Sequence, residues 1–344
     1  MQVFFVYAGR QGSNLECAIA LYTLATEAGF DSTLVLSKDN ARAARVQKLY
    51  PQAEFYDFFS PADFLRLKKR LEAGITFFTI MSPKIVPLAL SLGTPKIFYF
   101  HATYDYTYSK KTARDLFHEL LHLVLIKSSN SVVATQPSLA RQIKEKIGVG
   151  AGVLPHPPYS PIKPAFFSAK RQVRLPFKSG EYFLNFGEIS RMSKGTGLLL
   201  DAAEGTKLPI VLAGRRKGVK PASNVFHLDR WVNDGELHYL VKNCKCVVLP
   251  YLLRSQFSGC LALAFHFGKP VLAPNTEAFE GWVEEGKTGW LFEHGDAADL
   301  REKMRQVAAG KLKFGKSAIE KKEKEMALLT RKRLVELLEG FEKK

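Results

Sequence analysis

Cysteine is scarce in this sequence: only four of the 344 residues are cysteine. The closest two, Cys244 and Cys246, are separated by one residue, whereas zinc and thioredoxin motifs place two residues between their cysteines. The histidines also lack ligand spacing, and no Asp-x-Asp pair follows a predicted strand. We therefore expect no disulfide framework, no structural zinc and no metal at the functional site.

Long apolar runs are absent as well. The runs at 86–92 and 132–135 are far shorter than the roughly 20 residues of a membrane-spanning helix. The first ten residues have no basic segment before their apolar stretch and no cleavage site of small residues, so they indicate a first strand instead of a secretion signal. We expect a cytoplasmic protein, with peripheral contact at the inner face of the membrane as an additional expectation.

Acidic residues are outnumbered, with 33 Asp and Glu against 50 Lys and Arg and a formal net charge of +17. Such an excess attracts nucleotides, lipid head groups and nucleic acid alike. Nucleic acid is not expected, because no arginine-rich run or RNP-like aromatic motif accompanies the charge. A hydrophobic content of 46% in a chain of this length predicts a folded protein of two domains.

Short apolar runs alternate with segments of helical period along most of the chain, which predicts α/β domains with parallel sheets. Residues 1–158 form a first Rossmann-like domain in this interpretation. A proline-rich basic linker follows at 159–180, and the pattern restarts in a second Rossmann-like domain at 181–316. Residues 317–344 are predicted to form a long helix that packs across both domains.

Three loops that follow predicted strands could bind a phosphate. The loop at 9–14 includes Gly12 but has Gly-x-x-Gly spacing, which differs from the dinucleotide fingerprint. The loop at 187–195 combines Gly187 with Arg191 and Lys194, and residues 250–259 lead through Ser258 into an apolar helix. Helix N-termini bind anions. The alternatives are an ordinary turn capped by Ser13 or Asn14 for the first loop and a solvated turn with surface charges for the second.

The second half contains these loops within an ordered set of short motifs. In chain order they are Lys-Gly at 194–195, Ala-Gly at 213–214, a strand ending at Pro250, Ser-Gly at 258–259, Gly-Lys-Pro-Val at 268–271 and EEGKTGWLF at 284–292. This order resembles the C-terminal domain of the retaining GT-B glycosyltransferases of family 4 (group 1). The N-terminal half is similar more loosely, through Gly12, His101 after a strand, and VLPHPP at 153–158.

The resemblance implies two Rossmann-like domains facing a central cleft and an enzyme that uses a nucleoside-diphosphate sugar. The donor would lie on the C-terminal domain and a saccharide or lipid-linked acceptor on the N-terminal domain, with no obligatory metal or other cofactor. The implied donor-binding residues are Gly12, Gly187, Arg191, Lys194, Ser255, Gln256, Ser258, Gly259 and Cys260.

This sequence departs from the family pattern in two ways. Glu188 stands where the family has an arginine, so Arg191 is expected to substitute for it. The two family glutamates, eight residues apart, correspond to Ser255 and Leu263. A catalytically silent protein that binds a nucleotide sugar or a glycan is therefore the alternative function.

Two further predictions concern the first domain. His101 matches the family histidine near the transferred sugar, which implies positioning or hydrogen bonding without covalent attack; the alternative for a lone histidine at the end of a strand is a structural role. Tyr104, Lys110, Lys111 and Arg114 combine aromatic and basic side chains suited to an anionic membrane or to the acceptor. The alternative for that segment is a helix that buries Leu120, Leu121, Val124 and Leu125 in the domain core.

Overall fold

A computed structural model describes residues 1–10, 14–80, 82–101, 113–168, 171–216, 223–255 and 257–342. The chain divides into two compact units. Unit 1 comprises Met1–Phe166 together with Met326–Lys344, and unit 2 comprises Phe167–Glu325. The division between Phe166 and Phe167 falls inside the segment predicted as a linker. No described helix is both long enough and apolar enough to cross a membrane.

Unit 1 is built on a parallel sheet of seven described strands in the order β3-β2-β1-β4-β5-β6-β7. These are β1 (Gln2–Tyr7), β2 (Asp31–Ser37), β3 (Glu54–Tyr56), β4 (Gly74–Phe78), β5 (Lys96–Phe100), β6 (Ser131–Ala134) and β7 (Gly152–Val153). The central strands are almost continuous apolar runs, as expected when helices cover both faces of a sheet.

The helices of unit 1 alternate with these strands. They are α1 (Asn14–Glu27), α2 (Ala43–Leu49), α3 (Pro61–Leu71), α4 (Val86–Ser91), α5 (Ala113–Ser128) and α6 (Pro137–Ile147). Ser60 begins α3 by accepting a hydrogen bond from the Asp63 amide, and Pro61 at the first helical position already has the required φ. Gly148 ends α6 in the left-handed conformation.

Unit 2 repeats the plan with six described parallel strands in the order β10-β9-β8-β11-β12-β13. They are β8 (Phe183–Phe186), β9 (Ile210–Ala213), β10 (Val225–Leu228), β11 (Cys246–Val248), β12 (Val271–Pro274) and β13 (Gly289–Phe292). The helices are α7 (Thr196–Ala203), α8 (Asp234–Asn243), α9 (Gly259–His266), α10 (Ala297–Ala308) and α11 (Lys316–Glu342), of which α11 continues into unit 1.

Two parallel sheets confirm the predicted α/β class. The strands β3 and β13 and the helix α10 were not among the predicted elements. In both sheets the strand order reverses next to the first strand, between β1 and β4 in unit 1 and between β8 and β11 in unit 2. Ligands of open α/β sheets bind beyond the carboxyl ends of the strands at such a reversal. The loops after β8 and β11 are therefore the expected place for a ligand in unit 2.

Candidate functional site

The loops after β8 and β11 of unit 2 contact each other through their backbones. The Leu252 amide donates to the Ser193 carbonyl at 2.9 Å. Gly195 has a φ of +63°, and a Cβ atom at this residue would lie 1.6 Å from the Pro250 carbonyl oxygen. Only glycine fits such a close approach of two backbones. The contact brings the Lys194 side chain beside the residues that follow Pro250.

Lys194, Tyr251 and Ser258 form one hydrogen-bonded group, which we call the Lys194 cluster. The Lys194 ammonium nitrogen Nζ lies 2.8 Å from the Tyr251 hydroxyl and 3.3 Å from Ser258 Oγ. The Tyr251 hydroxyl also donates to Ser258 Oγ at 2.5 Å. The ammonium group lies 4.1 Å from the centre of the Tyr251 ring, where a cation is attracted by the ring's electrons.

Ser258 links this cluster to the start of α9. Its hydroxyl accepts a hydrogen bond from the Cys260 amide at 3.2 Å, which makes Ser258 the N-cap residue. The first amide groups of a helix carry a partial positive charge and attract anions. An ammonium group and a helix N-terminus therefore lie at the same place, beyond the carboxyl ends of β8 and β11.

Lys194 carries a positive charge that forms no ion pair among the described residues. Within the described part of the chain, no acidic oxygen lies within the 4.0 Å of an ion pair from its Nζ atom. Burial lowers the pKa of Lys194, and the nearby positive charge of Arg191 lowers it further, whereas Cys260 and Glu188 act in the opposite direction. A desolvated cation without a counter-ion is destabilising, so this arrangement favours binding of an anion.

The other residues predicted to bind the donor lie around this cluster. The Gly187 amide follows β8 and donates to the Ala213 carbonyl at 3.0 Å. Cys260 Sγ lies 3.7 Å from the Phe186 carbonyl oxygen, and Gly259 is the first residue of α9. The Arg191 carbonyl accepts a hydrogen bond from the Lys194 amide at 3.0 Å, whereas the exposed Arg191 side chain is ion-paired with Glu188 at 2.7 Å.

The two positions that carry glutamates in the family are enclosed. Ser255 is 4% exposed and Leu263 is 6% exposed. Neither side chain can supply a negative charge, and Leu263 cannot donate a hydrogen bond. Contacts that carboxylates would make to the ribose or the sugar must therefore come from other groups.

In unit 1, His101 directly follows β5. Its ring nitrogen Nε2 lies 3.1 Å from the Thr79 carbonyl oxygen, and its ring packs edge-to-face on Tyr99 at 4.6 Å between centroids. Because a carbonyl oxygen only accepts, Nε2 is the protonated nitrogen in this contact. Burial lowers the pKa of His101 to about 4, so the imidazole is neutral near pH 7.

The structure also brings together residues that the sequence left apart. Cys17 in α1, His101 after β5 and His156 after β7 each offer a ligand atom, and these atoms lie within 4.8 Å of one another. The spacing of the residues in sequence could not predict this, because the three belong to separate strand and helix units. The only available signal was that two of them follow strands whose carboxyl ends meet at one edge of the sheet.

Several predicted residues fall outside the described part of the chain: Gly12, Gln256, Tyr104, Lys110 and Lys111. Arg114 lies in the first turn of α5. Of the four residues that the alternative prediction buries, Leu125 is buried, Leu121 and Val124 are partly buried, and Leu120 is exposed. The end of α5 thus packs into the core, and Leu116 and Phe117 nearer its start are exposed, as Leu120 is.

Comparison with known proteins agrees with this description. Residues 180–309 match the family described as "Glycosyl transferases group 1". O-antigen chain mannosyltransferase C of Escherichia coli is 28% identical over 138 residues, which are 37% of each protein. D-rhamnosyltransferase WbpZ of Pseudomonas aeruginosa is 29% identical over 208 residues, which are 57% of this chain and 53% of that protein. The chain thus matches about a third to a half of the length of these relatives.

Solved structures extend the likeness to the whole fold. Anabaena Alr3699/HepE in complex with UDP and glucose has a TM-score of 0.69 at 13% identity, over 100% of both chains. Sucrose-phosphate synthase from Thermosynechococcus elongatus has a TM-score of 0.63 at 14% identity, over 98% of this chain and 94% of that one. The resemblance to the GT-B glycosyltransferases of group 1 is confirmed, with the sequence match of the family located in unit 2.

Proposed function

We propose that this chain is a retaining hexosyltransferase that moves a sugar from a nucleoside-diphosphate sugar to a saccharide or lipid-linked acceptor. The observation that carries the proposal is the Lys194 ammonium group, which has no close carboxylate among the described residues and lies at the N-terminus of α9. The names of the relatives, a mannosyltransferase and a rhamnosyltransferase, support the same class of reaction. So does the binding of UDP and glucose by a protein of the same fold.

The donor diphosphate would bind between Lys194 and the first amide groups of α9. The ammonium group would donate to one phosphate oxygen, and the amide of Gly259, the first residue of α9, would face another. Arg191 could leave Glu188 and bind the phosphate as well, because an exposed ion pair contributes little to stability. Such binding needs no divalent metal, because the fixed positive charges take its place.

In the reaction the bond between the sugar C1 and the diphosphate oxygen breaks, C1 forms a bond to an acceptor hydroxyl oxygen on the same face, and the hydroxyl proton passes to the departing diphosphate. Negative charge develops on the departing diphosphate, where Lys194 and the helix N-terminus stabilise it more strongly than in the ground state. His101, which is neutral, would position the sugar or the acceptor through Nδ1, since Nε2 already donates to Thr79. We infer no covalent attack by His101.

A silent binding protein is the second candidate. It is favoured by the uncharged, enclosed side chains of Ser255 and Leu263 at the two glutamate positions. Such a protein would bind the nucleotide sugar through the same Lys194 cluster but leave it intact. The two candidates therefore share their binding residues and differ only in the fate of the donor.

The acceptor side carries a separate part of the proposal. Leu116, Phe117 and Leu120 are exposed on α5, in the same helix as Arg114 and close in sequence to Lys110 and Lys111. Exposed apolar side chains and basic residues in one short stretch of sequence suit a peripheral contact with an anionic membrane at its cytoplasmic face. A Lys110, Lys111, Arg114 triple-Ala variant should bind less to anionic vesicles at low salt; binding equal to that of the wild type would remove this surface from the proposal.

The donor proposal is tested by thermal unfolding with a panel of UDP-, GDP-, ADP- and CMP-sugars. A ligand present at a hundred times its Kd stabilises the native state by about 2.7 kcal/mol, which raises the Tm of a unit of this size by at least about 5 °C. We expect at least one donor to do so in the wild type and to have a much smaller effect on Lys194→Ala. No shift with any donor would contradict both glycosyl transfer and silent binding of a nucleotide sugar.

A further inference from the structure

We infer that Cys17, His101 and His156 form a binding site for one thiophilic transition-metal ion, Zn²⁺ or an ion of similar preference. The three ligand atoms lie within 4.8 Å of one another inside unit 1. Cys17 and His156 are buried, and His101 is partly exposed. One thiolate and two imidazoles are a ligand set that zinc binds in proteins.

The geometry of the two imidazoles is close to that of a zinc site. Two rings bound to one tetrahedral zinc ion have centroids about 5 Å apart, since each Zn–N bond is about 2 Å long. The His101 and His156 centroids are 5.6 Å apart, with an angle of 67° between the ring planes. Ligand atoms of such a site are about 3.5 Å apart, so side-chain shifts of about 1 Å would bring the three atoms to an ion.

A second observation points to the same role. His101 donates through Nε2 to the Thr79 carbonyl at 3.1 Å, and His156 donates through Nδ1 to the Pro157 carbonyl at 2.8 Å. Metal-binding histidines typically donate their other ring N–H to a carbonyl or carboxylate, which fixes the tautomer and the ring orientation. Here Nδ1 of His101 and Nε2 of His156 would be the ligand nitrogens. The Tyr99 ring, 4.6 Å from His101, holds that imidazole in place.

Metal binding at this cluster would convert the Cys17 thiol to a thiolate and release its proton to solvent. Three protein ligands leave the fourth position of a tetrahedral ion to water, which can enter beside His101. The ion would occupy Nδ1 of His101, the nitrogen assigned above to the sugar or acceptor, so the metal-bound protein would lose that positioning contact. Metal binding and the His101 contact of the proposed transfer are therefore alternative states of this nitrogen, and the inference does not rest on that transfer.

The test uses the full chain without a histidine tag, freed of metal by a chelator that is then removed, and titrated with Co²⁺ alone. We expect one Co²⁺ per chain, a sulfur-to-cobalt charge-transfer band in the near ultraviolet and intense visible bands of a four-coordinate ion. Zn²⁺ should displace Co²⁺ and remove these bands. Cys17→Ala should lose the charge-transfer band, and His156→Gln should weaken binding by at least about tenfold.

Cys244→Ala is the matched control, because Cys244 is equally buried but lies in unit 2 with its thiol donating to the Val241 carbonyl. It should keep the full cobalt spectrum. Zn²⁺ should also raise the Tm of the wild type and of Cys244→Ala, which keeps the test decisive if Cys17→Ala is unstable. A weak six-coordinate spectrum without a sulfur band in the wild type, or equal sulfur bands in Cys17→Ala and Cys244→Ala, would overturn the inference.

Discussion

Replacing Lys194 by Ala should weaken nucleotide binding strongly without unfolding the protein. The ammonium group contacts two hydroxyls and no close carboxylate among the described residues, so in the complex its strongest partner would be the diphosphate. A charge-assisted hydrogen bond of this kind contributes roughly 1.5–3 kcal/mol, which corresponds to a loss of about 10- to 150-fold in affinity. Folding should survive, because removing a desolvated cation also removes its desolvation penalty.

The assay is isothermal titration of the wild type and the variant with the nucleoside diphosphate that binds best, alongside thermal unfolding without ligand. Lys311→Ala serves as a control, since Lys311 is an exposed lysine of unit 2 in the turn after α10. Its affinity should equal that of the wild type. If Lys194→Ala binds the nucleotide as tightly as Lys311→Ala does, the assignment of the diphosphate to the Lys194 cluster is refuted.

Four further predictions follow from particular contacts. Arg191→Ala should weaken nucleotide binding by less than Lys194→Ala in the same titration, because Arg191 is held by Glu188 in the free protein. Gly195→Ala should lower the free energy of unfolding in urea by more than about 2 kcal/mol, because the added methyl group would collide with the Pro250 carbonyl. Gly205→Ala is the control: Gly205 also has a positive φ, but no atom lies within 4 Å of the added methyl group, so the loss should be roughly 1–2 kcal/mol. Sugar transfer should continue in EDTA; loss restored by magnesium or manganese would contradict this. Burial lowers the pKa of His266 to about 4, so the unfolded chain binds a proton at this residue more readily than the folded one between about pH 6.5 and pH 4. The free energy of unfolding should therefore fall by about 3 kcal/mol at most as the pH decreases through this range, and His266→Gln should make that fall smaller.

The parts of the fold that sequence predicted best are long apolar strands and helices with clear ends. Gln2–Tyr7 is one such strand, and α8 begins at a capping box between Asn233 and Glu236. The strand Glu54–Tyr56 has only three residues, all partly exposed, so no apolar run in the sequence indicates it. The helix α10 did have a signal, since Asp296 caps it by accepting from the Ala298 and Asp299 amides.

The candidate site divides in a similar way. Lys194 and Ser258 could be predicted because each belongs to a short motif that precedes a helix. The role of Tyr251 could not, because its contact with both residues depends on the Gly195 turn that brings two loops together. The grouping of Cys17 with His156 could not be predicted either, since strand order alone brings these distant segments to one sheet edge.

The most direct test of the proposed transfer is to follow the fate of the donor that binds. The wild type is incubated with that nucleoside-diphosphate sugar and candidate saccharide or lipid-linked acceptors, and nucleoside diphosphate and sugar products are separated by chromatography. We expect release of the nucleoside diphosphate, a product that keeps the donor's anomeric configuration by NMR, and much slower release by Lys194→Ala. A donor that binds at the Lys194 cluster but stays intact with every acceptor would contradict glycosyl transfer and identify a silent binding protein.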